Sequence, residues 1–163
     1  MNTRLQVLLD LADQEFSGES FNGPSLIRTL ELLTPEMASY SATYEGYSAW
    51  SVALHVAYFK HFVAFAFDPS VGAYPLQKGP SGFGMPNDTG LSAWNELLAY
   101  LREVHAAGMR LFRAAEDPRL NEIMPRWKVP FVQAISWLCS HDTYHCAQIR
   151  NMGVPGLKEP REA

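Results

Sequence analysis

Four long segments of this 163-residue chain carry apolar residues at helical spacing, and no segment shows convincing strand-like alternation. The four periodic segments are residues 3–15, 48–67, 91–115 and 129–151. A shorter helical pattern resumes after Pro24, and residues 68–90 are rich in glycine and proline, which predicts a long connection between the second and third helices. The pattern therefore predicts an all-α four-helix bundle that forms a single domain over residues 1–163.

Charge and hydropathy exclude several classes of protein. The formal net charge is −4 and the basic residues are scattered, which disfavours nucleic acid or an anionic membrane as a partner. No apolar run approaches the ~18 residues of a membrane span, and acidic residues interrupt the N-terminal segment where a signal peptide would be apolar. Cys139 and Cys146 would lie ~10 Å apart on one helix, too far for a disulfide. We therefore expect a cytoplasmic protein with reduced thiols.

Histidines on apolar helix faces are the strongest functional signal. His141 and His145 lie four positions apart on the fourth predicted helix, so their side chains share one face with Gln148. The rest of that ~100° arc is apolar, which predicts that it faces the core. The same construction places His55 inward on the second predicted helix and His105 inward on the third.

Inward imidazoles need partners, because an unpaired buried polar group costs ~1–3 kcal/mol. A divalent cation would satisfy several neutral imidazole nitrogens at once. Three protein nitrogens also leave coordination positions open to water or substrate, as in catalytic sites. We therefore predict a metal site formed by His55, His141 and His145, with Gln148 as an orienting donor and His105 either as a similar support or as a hydrogen-bonded core residue. A metal-free histidine network is the alternative.

Two neighbouring polar residues fall outside these arcs. His61 lies ~120° from His55 around the helix, which predicts that it faces solvent. Asp142 lies off the His141 face, which predicts a solvated or structural carboxylate. A zinc protease motif has the form His-Glu-x-x-His, whereas this chain has His-Asp-Thr-Tyr-His. The shorter and misdirected acid disfavours a protease.

Two segments resemble the DinB-like superfamily, which includes the YfiT-type metal-dependent hydrolases. Residues 140–150, SHDTYHCAQIR, resemble the motif of its last helix, and residues 47–58, YSAWSVALHVAY, resemble its second-helix motif of Ser-x-Trp followed by an inward histidine. The resemblance covers most of the chain. It implies a four-helix bundle, often dimeric, and it carries the three metal ligands of the family over to His55, His141 and His145.

The resemblance implies a class of chemistry but not one reaction. It leads us to expect Zn or Ni, with Fe or Mn as alternatives, and an enzyme that acts on a small molecule or a low-molecular-weight thiol as an S-transferase or a hydrolase. A homodimer is expected on the same ground. The alternative function is a non-catalytic stress-associated or binding protein, in which the metal would be structural.

Overall fold

The computed structural model describes residues 3–77 and 82–157 and is built mainly of α-helices. A two-stranded antiparallel hairpin follows the first helix, with Glu19 opposite Pro24. The elements, in chain order, are α1 (Thr3–Ser17), β1 (Glu19–Ser20), β2 (Gly23–Pro24), α2 (Leu26–Glu31), α3 (Pro35–Ser39), α4 (Ala49–Phe67), a 3-10 turn (Pro69–Val71), α5 (Leu91–Ala114), α6 (Asp117–Asn121) and α7 (Phe131–Asn151).

Local sequence signals explain where these helices begin and end. The Thr34 and Ser48 hydroxyls accept hydrogen bonds from Met37 N and Ser51 N, so they cap the first turns of α3 and α4. Gly153 follows the last turn of α7 with a φ of 85°, a conformation that glycine adopts without steric cost. The four predicted helices are confirmed to within about two residues at most ends, which is the usual uncertainty of helix boundaries.

The long helices α1, α4, α5 and α7 pack together around two apolar clusters. Helix α4 packs against both α5 and α7, and α1 packs against α7 and also contacts α5. Buried members of the first cluster include Trp50, Trp94, Leu97, Leu101, Ile149 and Met152. Those of the second include Leu9, Phe112, Met124, Phe131 and Ile135. The all-α prediction is therefore confirmed.

A layer of buried polar side chains lies between the two apolar clusters. Along each of α4, α5 and α7, residues of the first cluster occupy one end and residues of the second cluster occupy the other. The polar residues lie between these two ends. They are Lys60 and His61 on α4, His105 on α5, and Asp142 and His145 on α7, while His55 adjoins them from the first-cluster end of α4, with its ring 4.7 Å from that of His145. This layer contains the side chains whose chemistry is described below.

Helix α4 overturns the prediction that His61 faces solvent. His61 is only 5% exposed and the adjacent Lys60 only 4%. The prediction assumed a single buried stripe, but α4 is covered by α5 on one side, by α7 on another and by the segment after its C-terminus on a third. A helix enclosed in this way buries residues at every angle.

The remaining sequence expectations concern membranes and thiols. Across residues 3–77 and 82–157, none of the helices has the length and apolar character that crossing a bilayer requires. Cys139 and Cys146 are buried free thiols on α7, as their spacing predicted.

Candidate metal centre

Three histidines from two helices meet inside the polar layer. His55 projects from α4, while His141 and His145 project from successive turns of α7. The Nε2 atom of His141 lies 3.1 Å from Nε2 of His55 and 3.1 Å from Nε2 of His145. The candidate ligand atoms of all three side chains lie within 4.8 Å of one another. The structure thus brings together the residues that the sequence predicted as ligands.

A hydrogen-bond relay sets the protonation of His145. The Gln148 amide nitrogen lies 2.6 Å from Oε2 of Glu45 and 2.6 Å from the Tyr47 hydroxyl, which itself donates to Glu45. A carboxylate only accepts, so the Gln148 NH₂ group must face Glu45 and its oxygen must face His145. His145 Nδ1 donates to that oxygen at 2.6 Å. In the neutral ring, Nε2 of His145 therefore presents a lone pair to the cluster.

Ordinary two-centre hydrogen bonds among the three rings can serve only one of the two Nε2 contacts of His141. Nε2 of His141 offers either one N–H or one lone pair, yet it faces two other Nε2 atoms at 3.1 Å. If it donates to His145, its contact with His55 can only share that same proton in a weaker three-centre bond; if it accepts from His55, its lone pair opposes that of His145. Nδ1 of His141 is also buried and has no hydrogen-bond partner among the described residues. A cation that accepts all three lone pairs removes the conflict at Nε2.

The environment keeps the His141 and His145 rings neutral, which metal ligation requires. Burial, followed by the neighbouring His145 and His55 rings and the Lys60 ammonium, lowers the pKa of His141 to about 2. Burial also lowers the pKa of His145, against the opposing effect of its hydrogen bond to Gln148. At neutral pH, both rings therefore have lone pairs available for a cation.

The spacing fits a small divalent cation. Bonds of about 2.0–2.1 Å in tetrahedral arrangement separate two nitrogen ligands by about 3.3 Å. The two Nε2–Nε2 distances of 3.1 Å are close to this edge length. His55 and His145 are 8% and 3% exposed, so a bound ion would be largely shielded from bulk water. The residues present therefore fit a three-nitrogen metal site.

Aromatic side chains enclose the cluster on the α4 side. Phe83, from the long connection, stacks on His55 with ring centroids 3.9 Å apart, and Phe59 packs edge-on against the same ring at 4.8 Å. A cavity of about 390 Å³ lies beside Phe83 and is also lined by Tyr47 and by Ser51, one turn before His55. The glycine- and proline-rich connection thus forms part of a cavity wall.

Gln148 and His105, the two supporting residues that the sequence singled out, differ in their placement. Gln148 contacts the cluster directly, but it accepts from His145 rather than donating to it as predicted. His105 is bonded elsewhere, with Nδ1 3.0 Å from Lys60 Nζ and Nε2 2.8 Å from Asp13 Oδ1. Its surroundings are those of a hydrogen-bonded core residue, which was the second of its two predicted roles.

Sequence reasoning missed a buried ion pair beside the cluster. Lys60 Nζ lies 2.6 Å from Oδ2 of Asp142, and the two side chains are 4% and 1% exposed. Asp142 was predicted to be solvated or structural; the solvated alternative is wrong, because the neighbouring α4 covers it. The pair joins α4 to α7 next to His141, and His105 and Asp13 extend it toward α5 and α1. A lysine within the apolar run of α4 was the available signal.

Glu45 was also missed. It lies in an irregular segment between α3 and α4, more than a hundred residues away from its partner Gln148, so no helical periodicity could have pointed to it.

Because Gln148 connects Glu45 to His145 in the hydrogen-bond relay, we expect Gln148→Leu to weaken metal binding. Loss of the acceptor frees the His145 ring to change tautomer and orientation, and such supports typically contribute about 10–100-fold in affinity. Competition for zinc against a chelating dye measures the change. Gln133→Leu, on an exposed part of α7, is the matched control. Unchanged zinc affinity in Gln148→Leu would contradict the relay.

Comparisons of the chain with protein-family models, with curated proteins and with solved structures find no match.

Proposed function

We propose that this chain binds one divalent cation through His55, His141 and His145 and that it is a DinB-like protein. The observation that carries the proposal is the arrangement of the three imidazoles, whose candidate ligand atoms lie within 4.8 Å of one another, while the Glu45–Gln148–His145 relay directs the lone pair of His145 into the cluster. The resemblance of residues 47–58 and 140–150 to the family motifs supports the same ligands. Zinc or nickel is the proposed ion.

We propose further that the site is catalytic, of thiol S-transferase or hydrolase type. Three protein ligands leave coordination positions open, and a cavity adjoins the site through Phe83 and Ser51. A bound cation would supply Lewis acidity, which lowers the pKa of a water or thiol ligand. The chain itself would hold His145 in one tautomer through Gln148 and exclude bulk water with Phe59 and Phe83.

Tyr47 links the metal ligands to the cavity. Burial, followed by the hydrogen bond and the charge of Glu45, raises the pKa of Tyr47 to about 12. The hydroxyl therefore stays protonated at neutral pH. It donates to Glu45, accepts from Gln148 and lines the cavity. Its role in the proposed site is to hold the relay and to offer a polar group beside the substrate, not to act as a base.

Metal analysis and cobalt substitution test the proposal together. Protein purified without an affinity tag should contain one divalent ion per chain. After exchange to cobalt, the visible spectrum should indicate five- or six-coordination and should change when azide or a small thiol is added. A closed tetrahedral spectrum that neither reagent alters would support the alternative, a structural metal joining α4 to α7. Protein that neither contains nor takes up metal would contradict the proposal as a whole.

A further inference from the structure

The cavity beside the histidine cluster has a definite chemical character. Its volume is about 390 Å³, within the range of small-molecule sites, and its walls come from the segment before α4, the first turn of α4 and residues 83–85 of the long connection. Phe83 stacks on His55 and also lines the cavity, so a ligand packed against Phe83 would lie one ring away from a proposed metal ligand.

Aromatic and sulfur-containing side chains form most of the cavity wall. The rings of Phe83 and Tyr47 have centroids 5.3 Å apart and are tilted by 55°, so they form two adjoining walls. Met85 lies opposite, with its sulfur 3.2 Å from the Ser51 hydroxyl oxygen. Aromatic rings and a thioether pack favourably against a further ring. The Ser41, Tyr47 and Ser51 hydroxyls are polar side-chain groups of this lining that could orient a ligand by hydrogen bonds.

The described residues of the cavity wall carry no formal charge. One of these residues, Tyr47, donates a hydrogen bond to the negatively charged Glu45 carboxylate. When the thiol group of a ligand occupies the open position of the proposed ion, a carboxylate or phosphate elsewhere on that ligand would lose hydration at this wall without gaining a cationic side chain, and Glu45 would repel it.

From this lining we infer that the site takes an uncharged ligand that carries a small aromatic group, and that it discriminates against anionic ligands, including thiols that bear carboxylates. The inference rests on the proposed function, because it names the class of substrate for the same metal site. It narrows the class of thiols expected as substrates: the thiol group binds the cation, and the remainder of the molecule must be neutral and able to pack against Phe83.

Two thiols that differ by one carboxylate provide the test. Phenylmethanethiol and 4-(mercaptomethyl)benzoate have the same ring and the same reactive group. We expect the cobalt-loaded full chain to bind the first at least about tenfold more tightly than the second, as measured by the thiolate-to-cobalt absorption band. Equal affinities, or tighter binding of the carboxylate, in protein that loads cobalt normally would overturn the inference and leave the proposed metal site intact.

A positive charge introduced at Met85 provides a second test of the preference for neutral ligands. Met85 is half exposed at the cavity, so Met85→Lys can place an ammonium there with little cost to the fold. The lysine variant should reduce the preference for phenylmethanethiol several-fold, whereas Met85→Leu should keep it. An unaltered preference in Met85→Lys would show that the cavity does not hold the ring and would overturn the inference.

A measurement on metal-free protein tests the ligand preference independently of whether the chain binds a metal. Saturation-transfer NMR on metal-free protein can compare benzyl alcohol with 4-(hydroxymethyl)benzoate, which differ in the same way as the two thiols. We expect a signal from the alcohol and a weaker one from the carboxylate. If the chain takes up no cation, this result still decides the inference: a signal at least as strong from the carboxylate overturns it.

Discussion

His145→Ala is expected to abolish tight metal binding and, with it, any metal-dependent activity. The substitution removes one of three ligand nitrogens. It also leaves the Gln148 side-chain oxygen without the hydrogen bond that it accepts from His145. For the wild-type chain, free zinc at a thousand times its dissociation constant should raise the free energy of unfolding by about 4 kcal/mol. For His145→Ala, the same zinc concentration should produce little or no increase. Urea denaturation with and without zinc measures the difference.

His61→Ala is the matched control for this experiment. It also removes a buried histidine from the polar layer, but one that bonds to Tyr100 and not to the cluster. Its unfolding free energy should be lower than that of the wild type at every zinc concentration, while the increase caused by zinc should remain. A full zinc-dependent increase in His145→Ala would exclude His145 as a ligand.

Lys60→Met is expected to destabilise the fold by about 3–5 kcal/mol, independently of metal. The substitution keeps the volume of the side chain but leaves the fully buried Asp142 carboxylate without its cationic partner. Burial already raises the pKa of Asp142, and Lys60 opposes that effect, so without the lysine we expect Asp142 to become protonated more readily. The free energy of unfolding in the absence of metal, measured by urea denaturation, checks the size of the loss.

The double variant Lys60→Met/Asp142→Leu tests whether the ion pair contributes to the stability of the fold or to metal binding. Replacing both charges with apolar groups of similar volume is often neutral for stability, because neither charge is then left buried alone. We expect the double variant to recover most of the stability lost in Lys60→Met. Zinc binding close to that of the wild type would show that the pair supports the fold and not the metal ligands. A double variant as unstable as the single one would contradict this account of the pair.

The histidine cluster could be anticipated because helical periodicity is a local property. A spacing of four residues places His141 and His145 on one face whatever the remainder of the chain does, and the apolar residues around them indicate that this face is buried. The same argument turns His55 inward. The bounds of α4 and α7 followed from equally local signals, among them the capping residue Ser48 and the terminal Gly153.

The failures came where burial depends on more than one neighbour. His61 and Lys60 lie off the His55 stripe, yet both are buried because α4 is enclosed by three parts of the chain. Asp142 lies off the His141 face, yet it is buried because it faces Lys60 across the contact of α4 with α7. A rule that assigns one buried face to each helix cannot predict either case.

The sequence by itself determined the helical architecture and the shared inward direction of His55, His141 and His145, because both follow from the period of the α-helix and from residue types within a few turns. The tertiary structure decided how the helices pack, which brought Glu45 to Gln148 and Lys60 to Asp142 across 103 and 82 positions of the chain. Such pairings depend on the relative placement of whole helices, which local periodicity does not encode. They nevertheless set the tautomer of His145 and the charges that surround the candidate metal centre.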